Sequence, residues 1–209
     1  MYTSCPNQRG VSLIELIMFI MIISVAVAGL MLMVNNSAGH SADTLLRKRA
    51  LAVAESLLEE VESMPFTYCD PNDSYAASAT GAVLGAQGVG CSLSKYIITS
   101  TPTAAQGFTR YGSSYFNNVV DYNGFVMNSG SSGILDISSS VIANNFGSDT
   151  LYGFSAIISA VPLALGSIAA TDSNGAPQSL LVTVNVTWPS SASGVVLQGY
   201  RTRYAPNLF

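Results

Sequence analysis

One carboxylate in an apolar run is the first feature of this sequence that needs a chemical explanation. Glu15 lies five residues after Gly10, near the start of the stretch RGVSLIELIMFIMIISVAVAGLMLMV. A charged side chain at the centre of a bilayer costs about 2.5–3.5 kcal/mol on insertion scales, so a charge kept there usually marks a functional position. Glu15 is therefore a candidate functional residue. The alternative is a side chain that only snorkels to the membrane interface.

Few other side chains have the types and spacing that catalysis or metal binding requires. The single histidine, His40, lies close to the apolar run, and no C-x-x-C pair is present, so a zinc site is not expected. The serines lack a G-x-S-x-G setting. Asp70 with Asp73, and Asp172 in TDSNG, have oxygen ligands suited to calcium, but turns require the same residue types. We expect no enzyme activity, no cofactor and no metal site.

Three cysteines are distributed on both sides of the apolar run. Cys5 precedes the run, whereas Cys69 and Cys91 follow it. Two cysteines beyond a membrane segment suggest a disulfide in an oxidising compartment. Closing this loop would stabilise the fold by about 3 kcal/mol on the chain-entropy model. Two buried free thiols are the alternative.

The apolar run has the length of a membrane span. Leu16 to Val34 is a stretch of 19 residues without a charge, proline or asparagine. As a helix it covers about 28 Å, close to the hydrocarbon core of a bilayer. It is longer than the apolar part of a secretory signal, and a helical pattern resumes after it. We expect a permanent single-pass anchor, with a cleaved secretory signal as the alternative.

The orientation of this span receives two opposing indications. One basic residue, Arg9, precedes the run, and three follow it at positions 47–49. By the positive-inside rule this triplet argues mildly against an outside C-terminus. The two cysteines after the span argue for an outside C-terminus, and we follow the cysteines.

Four regions differ in composition: a polar leader (1–10), the apolar segment (11–34), a helix-forming segment (35–64) and a Ser-, Gly- and Tyr-rich remainder (65–209). In the third, apolar residues recur every three or four positions, which predicts an amphipathic helix. This apolar face is Leu46, Ala50, Val53, Leu57, Val61 and Met64, while Glu55, Glu59 and Glu62 occupy another face. The simplest structure is one helix from about Val11 to Met64, weakest at NNSAGHS and ended by Pro65.

The remainder of the chain predicts a β-rich head with long loops. Strand candidates are residues 95–101, 152–161, 179–188 and 194–204, and PSSAS between the last two is short enough for a hairpin. Residues 70–90 and 126–150 have the composition of loops. The sequence therefore predicts an α+β fold, with a long N-terminal helix packed on a mostly antiparallel sheet.

The N-terminal residues RGVSLIEL resemble the class III signal of type IV pilins and pseudopilins, in which a basic leader ends in Gly and a Glu stands fifth after the cut. The resemblance implies a type IV pilin-like fold, cleavage between Gly10 and Val11 by a prepilin peptidase, and N-methylation of Val11. Most family members have Phe at this place. The apolar half also lacks the proline of major pilins, so Gly29 is its only soft residue.

Cleavage after Gly10 would give Glu15 a partner. The new α-amine of Val11 is cationic near neutral pH, and in a fibre it can pair with Glu15 of a neighbouring subunit. Removing one partner of such a buried pair typically costs about 3–5 kcal/mol. Glu15 is thus the expected assembly residue.

Three further segments are similar to minor pilins of the mannose-sensitive haemagglutinin (MSHA) pilus. They are ALAVAESLLEEVESMPF, FNNVVDYNGF and LLVTVNVTWPSSASGVVLQGYRTRYAP. The resemblance implies a minor pilin that primes, caps or decorates a pilus and supports attachment or assembly. Its implied partners are other pilin subunits, prepilin peptidase and an inner-membrane assembly platform. The implied location is the bacterial inner membrane with a periplasmic head, then the pilus. Alternatives are a type II secretion pseudopilin, or an adhesin or DNA-uptake subunit.

The charge of the head does not favour nucleic acid as a partner. After Pro65 there are four basic residues and six aspartates, whereas a DNA-binding surface normally needs a basic footprint. Arg201 and Arg203 share a strand face near Tyr200 and Tyr204. We interpret this pair as a solvated sheet edge.

Overall fold

The computed structural model of this 209-residue chain describes residues 10, 12–99, 108–127, 133–142, 151–189 and 194–203, without the side chains of residues 38–42. Contacts divide the chain into two units, residues 1–46 and residues 47–209. The first unit consists of the N-terminal residues and most of the apolar helix that follows them. The second contains the end of that helix and the head.

A single helix, α1, extends over Leu13–Ser63 and includes both NNSAGHS and Gly29. Its first turn is closed by a hydrogen bond of 3.1 Å from the Leu16 N–H to the Ser12 carbonyl. The part Leu13–Ser37, 25 residues with a mean hydropathy of 2.8, is long and apolar enough to cross a membrane. The predicted helix is thus present, and Val11, its expected first residue, lies outside the described residues.

The described residues of the head form an antiparallel sheet of four strands in the order β1-β2-β3-β4. These strands are β1 (Val126–Met127), β2 (Ser155–Pro162), β3 (Ser179–Thr187) and β4 (Val195–Thr202). Three of the four predicted strands correspond to β2, β3 and β4, and the adjacent antiparallel pair β3–β4 agrees with the predicted hairpin. A long helix followed by an antiparallel sheet confirms the predicted α+β, pilin-like fold class.

The strand predicted at residues 95–101 is wrong within the described residues. Ser94–Tyr96 form a 3-10 turn, and Ile97 makes only an isolated bridge with Cys69. The backbone N–H and carbonyl groups of this segment form hydrogen bonds within the local turn or with residues 68–70; for example, the Ile98 N–H donates a bond of 3.1 Å to the Tyr68 carbonyl. They are therefore not available to form the hydrogen-bond ladder of a continuous strand. The two-residue strand β1 was not predicted.

The core of the head lies between α1 and one face of the sheet. On β3 every second side chain is buried, as the alternation in the sequence predicts, and the register sets the buried β2 residues Ala156, Ile158 and Ala160 opposite three of them. The sheet contributes Leu180, Val182, Val184, Val186, Ala156, Ile158 and Ala160 to this face, and the helix contributes Ala50, Ala54, Leu57 and Val61. The predicted helix face is confirmed in its centre; Ala54 was missed, and Leu46, Val53 and Met64 are only half-buried.

Gly199 on β4 shows how closely the helix approaches the sheet. A Cβ at this position would overlap the carboxylate of Glu62 and lie 3.3 Å from Leu58. A side chain at position 199 would therefore require the Glu62 carboxylate to move away from this edge strand.

Candidate functional site at the N-terminal segment and the helix end

Gly10 lies in open surroundings ahead of α1. It is exposed, and a Cβ at this position would meet no atom within 4 Å. Glu15 is the third residue of the helix and is also exposed. No described residue therefore blocks a protease from the backbone at Gly10 or a partner from the Glu15 carboxylate.

The helix start gives Glu15 a second physical role. The N-terminal turn of a helix carries unpaired N–H groups and a partial positive charge, which stabilise a nearby carboxylate. Ser12 and Glu15 also have the S-x-x-E spacing of a capping box. The carboxylate thus lies where a helix tolerates it best, before any neighbouring amine is considered.

No other described part of the chain covers the apolar part of α1. All side chains from Leu13 to Ser37 are exposed, including Phe19 at 61% and Leu32 at 73%. The hydroxyl of Ser24 donates a hydrogen bond of 2.6 Å to the Ile20 carbonyl, so this polar group is satisfied within the helix. Such a surface requires lipid or other apolar helices around it.

A disulfide closes the loop that follows the helix. Cys69 and Cys91 are bonded, with an S–S distance of 2.10 Å and a Cα–Cα distance of 5.5 Å. Beside it, Asp73 Oδ2 accepts hydrogen bonds of 2.9 Å from both the N–H and the hydroxyl of Ser92. The disulfide and this aspartate hold the two ends of the loop together.

The aspartates considered for calcium form turns. Asp70 Oδ1 accepts a bond of 2.8 Å from the Asn72 N–H, and Asp73 Oδ1 accepts one of 2.7 Å from the Tyr75 N–H. Asp172 Oδ1 likewise accepts from two backbone N–H groups, at 2.8 and 2.9 Å. Among the described residues, no group of three or more His, Cys, Asp or Glu side chains could hold a metal ion. The side chain of His40 lies outside the described ones.

A buried ion pair connects the end of the helix to the head, and sequence reasoning missed it. Arg110 donates two hydrogen bonds to Glu60, from Nε to Oε1 at 2.8 Å and from Nη2 to Oε2 at 2.7 Å. Tyr122 donates a third bond to Oε1 at 2.7 Å, and Arg110 Nη1 reaches the Leu135 carbonyl at 2.9 Å. The Arg110 and Glu60 side chains are only 7% and 23% exposed. Arg110 is thus buried and Glu60 half-buried, so the pair is largely shielded from water.

Hydrogen bonding decides the protonation of Glu60. Burial alone would raise its pKa, but hydrogen bonds from Arg110 and Tyr122 and the charge of Arg110 outweigh burial, so the pKa lies below its usual 4.5. For Tyr122, burial and the bond to Glu60 both raise the pKa. Glu60 and Arg110 are thus both charged at neutral pH. We call Glu60, Arg110 and Tyr122 together the clamp. In the sequence, only the position of Glu60 could have indicated this role: it lies three residues after Leu57, at the edge of the buried face of the helix.

The segment FNNVVDYNGF, residues 116–125, supplies the tyrosine of this clamp. Asn118 caps a 3-10 turn, Val119–Tyr122, by accepting from the Val120 N–H at 3.2 Å. Three rings, those of Phe116, Tyr122 and Phe125, pack edge to face with centroids 4.8 to 6.4 Å apart. The segment is therefore a compact unit that aims the Tyr122 hydroxyl at the helix.

Arg201 and Arg203 do not form a solvated sheet edge, so that expectation is wrong. Arg201 Nη2 donates a bond of 3.1 Å to the carbonyl of Met64, directly after the end of α1, where a cation is favoured. The guanidinium of Arg203 lies 4.5 Å from the ring centre of Phe66 and 4.9 Å from that of Tyr68.

Burial of Arg203 has an electrostatic consequence. It lowers the pKa of this guanidinium to about 10, and the charges of Tyr68 and Asp172 oppose only part of the effect.

Both arginines therefore contact residues at the junction between helix and sheet. The register of β4 on β3, which sets Arg201 opposite the buried Leu180, is what turns Arg201 inward.

Comparison with known families gives a match to the prokaryotic N-terminal methylation motif over residues 5–31. This span contains Gly10, Val11, Glu15 and most of the apolar helix. The comparisons with curated proteins and with solved structures gave no match. The motif supports a type IV pilin-like or pseudopilin subunit, and hence a structural protein rather than an enzyme. It also implies contact with other pilin subunits and with a prepilin peptidase, and it fits anchoring in a membrane.

Proposed function

We propose that this chain is a minor pilin that primes, caps or decorates a type IV, MSHA-like pilus. The observation that carries the proposal is the methylation motif over residues 5–31, which is continuous with an apolar helix left exposed by all the other residues that the structure describes. The division into leader (1–10), span (11–34), stem (35–64) and head (65–209) belongs to the same proposal. The assignment to an MSHA-like system rests on the similarity of the three segments named above.

The proposed sequence of events begins in the bacterial inner membrane. The span Leu16 to Val34 holds the precursor there with its head in the periplasm, where the disulfide Cys69–Cys91 can form. Prepilin peptidase cleaves between Gly10 and Val11, and Val11 is methylated. An assembly platform then moves the subunit into the fibre, where neighbouring apolar helices replace lipid around the span.

Glu15 is the proposed assembly residue. In a bundle of apolar helices its carboxylate would be desolvated, and the α-amine of Val11 from a neighbouring subunit supplies the opposite charge. The exposure of Glu15 at the helix start leaves its carboxylate accessible to that amine.

Substitution of Gly10 tests this proposal. We expect Gly10→Leu to retain the ten-residue leader and to be absent from sheared fibres, because the bulky side chain replaces the Gly that ends the leader in the class III signal. The matched control is Gly29→Leu, since a Cβ at either glycine meets no atom within 4 Å. Gel mobility and the mass of the N-terminal peptide report cleavage. Normal cleavage and assembly of Gly10→Leu would refute the proposal.

A pseudopilin of a type II secretion system is the second candidate, because it shares the same N-terminal signal. Deleting the gene distinguishes the two candidates: loss of surface fibres or attachment indicates a pilin, and loss of a secreted enzyme with intact fibres indicates a pseudopilin. A DNA-uptake role has less support, since Arg110, Arg201 and Arg203 contact groups of their own chain.

A further inference from the structure

A cavity of about 400 Å³ opens in the head where the segment after the helix, the loop between β2 and β3, and the end of β4 meet. We name it the head cavity. Its volume lies within the range of about 300–1,000 Å³ that is typical of ligand sites. None of its lining side chains is fully buried, so a ligand can approach from the surface. The lining residues are Tyr68, Ile168, Asp172, Gln178, Thr202 and Arg203.

Arg203 supplies this cavity with a cation that lacks hydrogen bonds. All three nitrogens of its guanidinium are buried, and none has an acceptor within the described part of the chain. The group rests against the rings of Phe66 and Tyr68, 4.5 and 4.9 Å from their centres. Its pKa of about 10 leaves it charged at neutral pH. Because an arginine fork matches the two oxygens of a carboxylate, an acceptor from another molecule would satisfy it.

The other polar groups of the lining suit a ligand that carries hydroxyl groups. Asp172 Oδ1 accepts from the N–H groups of Asn174 and Ala176 at 2.8 and 2.9 Å, which leaves Oδ2 for a ligand. The Gln178 amide and the Thr202 hydroxyl form no hydrogen bond with a described residue. Between them these groups both donate and accept hydrogen bonds, as the hydroxyls of a sugar require.

The remaining lining limits the ligand further. Tyr68 and Ile168, the latter 37% exposed, give the cavity an apolar side against which the C–H groups of a sugar ring can pack. Asp172 would repel a second negative charge on the ligand. The lining therefore favours a single carboxylate on a hydroxylated ring over a dicarboxylate or a phosphate.

We infer that the head cavity binds an acidic sugar, a polysaccharide unit whose one carboxylate pairs with Arg203. The hydroxyl groups of the sugar bond to the other polar side chains of the lining. Because the guanidinium nitrogens are buried against the two rings, binding turns the guanidinium from the rings toward the cavity. The inference rests on the proposed function in one respect, which is the location of the head outside the cytoplasm, where it can meet a polysaccharide.

Titration calorimetry on the full-length protein in detergent tests the need for a carboxylate. The probes are trigalacturonic acid and a trisaccharide that ends in sialic acid. The matched control is the methyl ester of trigalacturonic acid, which keeps the ring and its hydroxyls but has no charge. We expect at least one acid to bind and the ester to bind about tenfold more weakly than its parent acid, as the loss of a charged hydrogen bond predicts. Failure of both acids to bind, or equal affinity of an acid and its ester, overturns the inference.

Replacing Arg203 by Met separates binding from structure. Met keeps the apolar contact with the rings but removes the charge, so we expect affinity for the acid to fall at least about tenfold. The melting temperature should not fall, because a buried charge without an acceptor has been removed. A lower melting temperature with unchanged affinity would show that Arg203 acts only in the structure, and it overturns the inference.

Thr202→Val is a milder variant that keeps the shape of the side chain and removes its hydroxyl. We expect a loss of affinity of about fivefold, the scale of one neutral hydrogen bond. Thr187→Val is the matched control, because Thr187 lies at the end of β3 and does not line the cavity. Equal affinity of the two variants contradicts a role for the Thr202 hydroxyl in binding.

Two further outcomes have distinct meanings. Free serine carries a carboxylate and an ammonium group but no ring, so an affinity equal to that of the trisaccharides overturns the sugar assignment. Calorimetry needs no fibre, so failure of the proposed function is recognised separately. A protein that binds the acid but is absent from sheared fibres refutes the fibre assignment alone, and a protein present in fibres that binds neither acid refutes this inference alone.

Discussion

Glu60 is the residue whose charge most directly connects helix and head. Three donors from two distant segments converge on its carboxylate, whereas its neighbour Glu59 is exposed. A carboxylate held in this way resembles a buried ion pair rather than a surface one, so removing one partner leaves the other uncompensated.

Replacing Glu60 by Gln tests this at the scale of one residue. We expect the full-length protein in detergent to lose about 3 kcal/mol of unfolding free energy at pH 7. Because folding lowers the pKa of Glu60 below 4.5, its contribution is complete above that value and is lost as the pH falls through the lower folded pKa. Chemical unfolding at several pH values should show the difference between wild type and variant shrinking below pH 4.5.

Glu59→Gln is the matched control and should change the unfolding free energy by less than about 0.5 kcal/mol. A difference for Glu60→Gln that is equally large at pH 7 and at pH 3 would show that charge is not the cause.

At the scale of elements, the loop between Cys69 and Cys91 depends on backbone proximity as much as on its disulfide. The Cys91 N–H donates a bond of 2.7 Å to the Val83 carbonyl, which brings two backbone segments into contact at Gly90. A Cβ on Gly90 would overlap that same carbonyl oxygen. A loop with little regular structure is therefore as sensitive to added volume as a core.

Gly90→Ala should lower the unfolding free energy by about 2 kcal/mol, because the overlapping atom belongs to the backbone and cannot rotate away. Gly81→Ala is the matched control in the same loop: its Cβ would meet its nearest atoms at 3.8 Å, an ordinary contact. Thermal unfolding of both variants measures the contrast. Equal melting temperatures would contradict the close packing at Gly90.

At the scale of the whole molecule, the number of free cysteines shows both whether the leader has been cleaved and whether the head has reached an oxidising compartment. Cys5 lies in the proposed leader, whereas Cys69 and Cys91 form the disulfide of the head. Cleavage after Gly10 would remove the one cysteine that the head does not use. The number of free thiols therefore depends on both events.

We expect a maleimide mass tag to give no gel shift with the processed protein, and two additions after reduction. The uncleaved Gly10→Leu precursor should accept one tag before reduction and three after it, because it retains Cys5. Cys69→Ser, processed normally, provides the control with one free thiol at Cys91. Two free thiols in the unreduced processed protein would contradict an oxidised head outside the cytoplasm.

The sequence by itself determined the features that depend on local order. A continuous apolar run predicts a span, apolar spacing of three and four predicts the stem, and alternation predicts the strands, because neighbours in sequence decide these patterns. The same holds for the Gly10–Glu15 signal. The tertiary structure decided the contacts between distant segments. Arg110 meets Glu60 across 50 residues and Tyr122 meets it across 62, and strand register turns Arg201 toward the helix end. Such pairings depend on how the sheet packs on the helix, which no local pattern contains.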